Sequence, residues 1–252
     1  VSIGETQEEA PRTVGDVIAR LEAIAGQLDP TDARRHFHLV YLRSTRGVEE
    51  ELRREGFIDP AWLQTLDVVF AGLYLDAFAA LGRGQAPAAW RIPFSAARDK
   101  PDLPPLRHIL FAMNVHINFD LPQALIATIT DDELDDAALM AKREQDHQHI
   151  NDVLGARVAA EDKLLPGRTL TDRLLAPLNR RAAKKFVAES REKVWRNARV
   201  LSKARREGLD RLEARIEELD RLCAARAEDL VAPGQIVLKL ARRGFGVLLP
   251  DA

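Results

Sequence analysis

The chain has 252 residues, 46% hydrophobic and 30% charged, and 37 basic against 39 acidic side chains give a formal net charge of -2. This composition excludes a disordered chain, and the near-neutral balance supplies no drive toward nucleic acid or an anionic membrane. A single cysteine, Cys223, excludes an intramolecular disulfide and a thiolate-cage zinc site, and fits a reducing compartment.

No uninterrupted apolar run approaches the roughly 20 residues of a spanning helix. Val1 to Thr13 is polar and acidic, unlike a signal peptide. The expectation is a cytoplasmic protein with a flexible segment over 1–12 and a single helical domain over 13–252. Its partners are then a small molecule, with neither nucleic acid nor membrane.

In chain order, Thr13 before Val14-Gly15-Asp16 has the form of a helix cap, and Val17, Leu21, Ile24 and Leu28 continue at helical spacing. Asp29-Pro30-Thr31-Asp32 divides this helix from a second, through Phe37, Val40, Tyr41, Val48 and Leu52 to Gly56. Asp59-Pro60 opens a third, carried by Trp62, Leu66, Val69, Leu73 and Phe78 to Gly82. From Gly82 to Pro105 the periodicity fails among Gly84, Pro87, Pro93, Pro101, Pro104 and Pro105, which predicts one long Pro-rich loop. Trp90 and Phe94 would pin that loop down, either as a structural tie or as a lid near His116.

A fourth helix is expected from Leu106 to Ile129 and a fifth from the Thr130-Asp131-Asp132-Glu133 cap to Glu161. A cap at Thr171 opens a segment that passes Leu175 and Pro177 and runs on to Lys203. Leu209, Leu212, Ile216, Leu219 and Cys223 then recur at spacings of three and four, fitting a core-facing helix or a coiled-coil arm. Such an arm would offer a homodimer interface through the C-terminal helices. Pro233 begins a last short helix that stops at Gly244. The class is therefore all-α, a single-domain bundle of about seven to eight helices.

Chemistry concentrates between His108 and Asp152. The fourth helix is strongly apolar, so its polar residues need partners. His116 and Asp120 lie one turn apart on one face, with His108 two turns before; Asn114 and Asn118 form a second pair on nearly the opposite face. Polar pairs on two sides of a buried helix are costly unless both are used. On the fifth helix, His147 and Asn151 interrupt a stripe of Met140, Arg143, Leu154 and Val158, whereas His149 points toward solvent. Glu144 precedes His147 at the Glu-x-x-His spacing that ligates metal from one helix. Asp32 with His36, and His38 with Tyr41, are further candidates on the second helix. Cys223 reads as a buried helix residue rather than a nucleophile.

Met113-Asn114-Val115-His116-Ile117-Asn118-Phe119-Asp120-Leu121 resembles the signature of an uncharacterised all-helical family of unknown function, common in actinobacteria. Members carry Met-Asn-Ala-His-Ile-Asn-x-Asp-Leu. A later Ile-Asn resembles Ile150-Asn151, and the likeness spans roughly residues 13 to 240. The resemblance implies a bacterial all-α protein whose site lies on this string, and no particular reaction. His116-x-x-x-Asp120, with Gln123 and Leu125 after it, is also similar to the zinc-binding unit of zinc-dependent phospholipase C and single-strand nucleases. Those enzymes are secreted, use an N-terminal Trp ligand and carry further ligands with no counterpart here.

Three readings follow. In the first, His116, Asp120, His147 and Glu144 hold one divalent ion, zinc or iron, for hydrolytic or lyase-type chemistry on a small molecule. In the second, His116, Asp120, Asn118 and His147 act without metal in an acid/base enzyme such as a cyclase or isomerase, or in a small-molecule binder. Asn114, Asn151, Trp90 and Tyr41 would then contact the substrate. In the third, these polar residues form a structural network in an interaction protein.

Overall fold

Caps place the first helices. The computed structural model describes residues 10–161, 189–190 and 192–251; the side chains of 151–161, 237, 238 and 241 are outside that description. Helix α1 (Val14–Gln27) starts at a capping box in which Thr13 and Asp16 satisfy each other's backbone amides. Helix α2 (Arg34–Arg53) follows, and α3 (Pro60–Leu81) begins with Pro60 in its first turn and Asp59 accepting from Trp62 N at 3.1 Å. A carboxylate from far along the chain completes that end: Asp146 accepts from the amides of Ile58 and Asp59, each at 2.7 Å.

The stretch from Gly82 to Pro105 corrects the expected loop. Twelve of its residues form α4 (Ala88–Asp99), with Pro87 as its cap residue and Pro93 inside it. Alanine-rich sequence favours the helix. Its free N-terminal amides are met by Asp220, whose oxygens accept from Ala88 N at 2.8 Å and Ala89 N at 2.7 Å. Prolines are visible in sequence; a cap supplied from beyond residue 200 is not.

Helix α5 (Pro105–Val115) runs through a π-helical turn (His116–Asp120) into α6 (Leu121–Thr128). Leu121 N–H reaches back five residues to the His116 carbonyl. Pro122 explains the widened turn, because in a regular α-helix its ring would press on the carbonyl four residues earlier. The expected fifth helix is broken by Asp136, which caps a new start: α7 (Asp131–Asp135) is one short turn, and α8 (Ala137–Glu161) follows.

Helix α9 (192–207) lies on the segment expected from Thr171; Thr171, Leu175 and Pro177 themselves, like 1–9 of the N-terminal segment, are outside the described residues. In α10 (Leu209–Val231), Leu219, Cys223, Ala227 and Leu230 are buried, so this helix faces the core. A short α11 (Ile236–Arg243) ends at Gly244, and an extended tail follows.

One hydrophobic core takes residues from Val14 to Leu249, so the described helices form a single all-α domain. Helix α3, at 22 residues, is long and apolar enough to cross a bilayer, though it carries Asp67 and Asp76 and 33% of its most apolar stretch is buried.

Candidate functional site

The α5–π–α6 helix crosses the core with a polar pair on each of two faces, and each pair has a separate occupation. On one face, His116 Nδ1 lies 2.8 Å from Asp120 Oδ2. Trp90 Nε1 donates to the same carboxylate, at 3.1 Å to Oδ1 and 3.0 Å to Oδ2. An indole N–H only donates. Asp120 therefore receives donors on both oxygens, with His116 donating from Nδ1. Burial pushes the Asp120 carboxyl above its usual range, while His116 and Trp90 pull it back.

Aromatic rings enclose the pair. Phe70 stacks on His116 at 3.7 Å between centroids and 8° between planes. Tyr41 meets it edge-on at 4.6 Å, and Phe37, Tyr74 and Trp90 complete the box at about 6 Å. His116 is 4% exposed and Asp120 1%. Of the five rings, Phe70 alone is only partly buried.

Three polar atoms in this region are enclosed without a well-formed hydrogen bond: His116 Nε2, Asp67 Oδ2 and Tyr41 Oη, on which the Thr45 side chain acts only weakly. Leaving such an atom unmade costs roughly 1–3 kcal/mol. Asp67 stands one turn before Phe70 on α3, and its charge and that of Asp120 both act on the Tyr41 hydroxyl. Burial raises the Asp67 carboxyl to about 7. The Tyr41 hydroxyl is pushed well above its ordinary range, chiefly by burial. The result is a closed acid/base constellation of one oriented imidazole, one carboxyl that is half-protonated near neutrality and one phenol.

On the opposite face, Asn114 and Asn118 bind the chain's own tail. Asn114 Nδ2 donates to Phe245 O at 2.7 Å. Asn118 Nδ2 donates to Asn114 O at 2.8 Å and to Phe245 O at 3.1 Å, while its Oδ1 accepts from Val247 N at 2.9 Å. The structure thus separates Asn118 from the His116–Asp120 pair that the sequence grouped it with.

Residues 14–233 match a family of uncharacterised proteins, described as the family of unknown function DUF5995. The chain belongs to that family. No curated protein and no solved structure matches it significantly. The family residues contain the whole aromatic box, Asp67, Asn114, Asn118 and Asn197, whereas the tail at 245–249 lies beyond the matched stretch.

The remaining candidates fall elsewhere. His147 packs on Trp195 of α9 at 5.8 Å, and Glu144 pairs with Arg199 at 3.2 Å on the outer side. Among the described residues no three His, Cys, Asp or Glu side chains come together to hold a metal, so His116, Asp120, His147 and Glu144 do not form one ligand set. The Asn151 side chain is outside the described residues. His149 reaches the surface, its side chain 37% exposed, and there bonds Glu51 at 2.8 Å and packs on Phe57.

His38 is fully buried, with Nε2 2.8 Å from the Leu21 carbonyl and Nδ1 2.8 Å from Tyr74 Oη. A carbonyl only accepts, so His38 Nε2 donates and Tyr74 donates to Nδ1, a structural tie among α1, α2 and α3. His36 stacks on His108 at 5.9 Å, and His108 helps line a cavity of about 10 Å³. Burial, then His36, lowers the His108 pKa. Asp32 binds Arg34 rather than His36. Cys223 is wholly buried and its thiol pushed far up by burial.

Sequence reading missed Asp67, Phe70 and Asn197. Asp67 carried a usable signal: it interrupts the apolar run Leu66–Phe70, the same logic that singled out Asp120. Phe70 had none, because an aromatic residue on an apolar helix reads as core.

Proposed function

We propose that this chain is a metal-independent acid/base enzyme acting on a small, largely apolar molecule, with His116 as general base and Asp67 as proton donor. One observation carries the reading: His116 Nε2, Tyr41 Oη and Asp67 Oδ2 are enclosed, lack a well-formed hydrogen bond and are gathered around one aromatic box. Asp120, held by Trp90, fixes the imidazole with Nδ1 protonated, which leaves the Nε2 lone pair to take a proton from substrate. A protonated Asp67 then returns a proton at a second position, with Tyr41 bonding the substrate oxygen between them. Proton removal at one atom and return at another leave the substrate's composition unchanged, which is isomerase chemistry. A substrate would enter by displacing the Phe70 ring and would present its acidic C–H to Nε2 at the edge of the imidazole, in the plane of the ring. The metal-assisted alternative draws less support, since Glu144 and His147 have other neighbours.

The enclosure of His116 favours one second reading, a purely structural network. Proton exchange separates the two. In deuterium oxide, a panel of small unsaturated carbonyl compounds is followed by NMR for incorporation of deuterium at acidic C–H positions. Exchange with at least one compound, reduced on the order of 100-fold or more in His116→Gln and Asp67→Asn, is the expected result. Absence of exchange across the panel, or exchange indifferent to both variants, removes the enzymatic reading.

A further inference from the structure

The backbone of the C-terminal tail is bound almost entirely by side chains. Arg226 takes the carbonyl of Gly244, Asn114 and Asn118 that of Phe245, Lys193 that of Gly246, Asn197 that of Val247 and Arg215 that of Pro250. The amides are matched too: Val247 N donates to Asn118 Oδ1 at 2.9 Å and Leu249 N to Asn197 Oδ1 at 2.8 Å. Asn118 and Asn197 therefore each clasp a peptide unit two residues apart, supplying the donor and acceptor that a neighbouring strand would supply.

Side chains alternate to match. Phe245, Val247 and Leu249 are 5%, 8% and 0% exposed, whereas Leu248 is 40% exposed. Between the anchors the chain must pass very close to α9. A Cβ on Gly246 would lie 2.4 Å from Lys193 Cδ and 3.2 Å from Ser190 Cα, and Gly244 has φ +70. The seat thus accepts an apolar residue, then Gly, then two further apolar anchors at alternate positions, with side-chain amides reading the backbone between them. Peptide receptors that bind extended ligands divide the work in the same way, main chain for affinity and alternate pockets for specificity.

We infer that Asn114, Asn118 and Asn197 form a peptide-binding groove, and that residues 245–249 are its ligand, held in cis and able to dissociate and rebind. Asn118 belongs to the π-helical turn whose first and last residues are His116 and Asp120. Docking of the tail consequently braces the turn that sets the His116–Asp120 hydrogen bond. Binding of the peptide stands apart from the acid/base reading; only the coupling to His116 touches it.

The test uses a chain ending at Gly244 and a fluorescein-labelled peptide with the sequence of residues 244–252. Saturable binding to the shortened chain, and none to the full chain, is expected. A peptide N-methylated at the Val247 amide should bind about tenfold more weakly or worse, because a buried acceptor on Asn118 loses its donor. Equal binding of the methylated peptide, or a folded shortened chain that binds nothing, overturns the proposal. Should the shortened chain not fold, a protease site between the exposed Pro233 and Gly234, cut after folding, replaces it. The 234–252 fragment should then stay on the body through gel filtration and exchange with labelled fragment. Loss of the fragment without rebinding, or its permanent retention, overturns the proposal equally. With histidine ¹⁵N-labelled, the protonated Nδ1 signal missing from His116→Gln should weaken without peptide and return with it. If it stays constant while peptide binds, the groove stands and its link to His116 fails.

Discussion

The indole nitrogen of Trp90 lies 3.1 and 3.0 Å from the two oxygens of Asp120, so a helix that looked like a loop supplies the second support of the central carboxylate. Trp90→Phe keeps the ring in the core and removes only this donor. A hydrogen bond to a charged group contributes about 1.5–3 kcal/mol, which for a domain of this size lowers the melting temperature by roughly 3–12 °C. An unchanged melting temperature would show that Asp120 does not depend on the indole.

Asp120→Ala should cost more, about 2–4 kcal/mol, because it strands both the His116 Nδ1–H and the Trp90 N–H in a dry interior. In a cycle with His116→Gln, the double variant should be less destabilised than the sum of the single ones. Strict additivity, read by denaturant titration, would mean that the two residues do not act as a pair.

Asp67 makes stability depend on pH. Its folded pKa of about 7 lies above the ordinary carboxyl value, so the folded chain binds the extra proton. That contribution is complete below the unfolded pKa near 4 and is lost as pH rises through 7. Asp67→Asn removes the dependence. Relative to the parent, the variant should gain about 1–3 kcal/mol at pH 8 and little at pH 4, after discounting for the partial exposure of the residue. Parallel stability curves from pH 4 to 8 would rule out a buried Asp67 carboxyl.

Phe70→Ala should open His116. The ring stacked at 3.7 Å is the shortest aromatic contact of the box and the only partly buried one. Acylation by diethyl pyrocarbonate, mapped by peptide mass, should reach His116 at least about tenfold faster in the variant. That factor corresponds to a little over 1 kcal/mol of opening free energy. If His116 stays protected, the entrance lies elsewhere.

The residues that sequence exposed most clearly are those whose chemistry conflicts with their neighbours. His116, Asp120, Asn114 and Asn118 stood out because each interrupts an apolar helix, and helical spacing already placed the two pairs on opposite faces. What each face met was not legible. Trp90 and Phe245 reach the helix through tertiary packing, and no local pattern marks Asp220 or Asp146 as a distant cap. Pro87 and Pro93 misled for the same reason, since local propensity yields to a helix end satisfied from elsewhere in the fold. Pairing His147 with Glu144 rested on spacing alone, and their neighbours proved to be Trp195 and Arg199.

The π-helical turn also limits how chain length can vary here. Each residue of an α-helix advances the chain by about 100°. The wide turn absorbs one extra residue, so deleting one position between His116 and Asp120 would let the helix run regularly with its two flanks nearly in register, at the cost of the four-residue spacing that pairs the two side chains. A deletion within the regular α-helix on either side would instead rotate its flanks against each other by that angle. A library of one-codon deletions across 105–128, scored for folding, should therefore keep its survivors within 116–120.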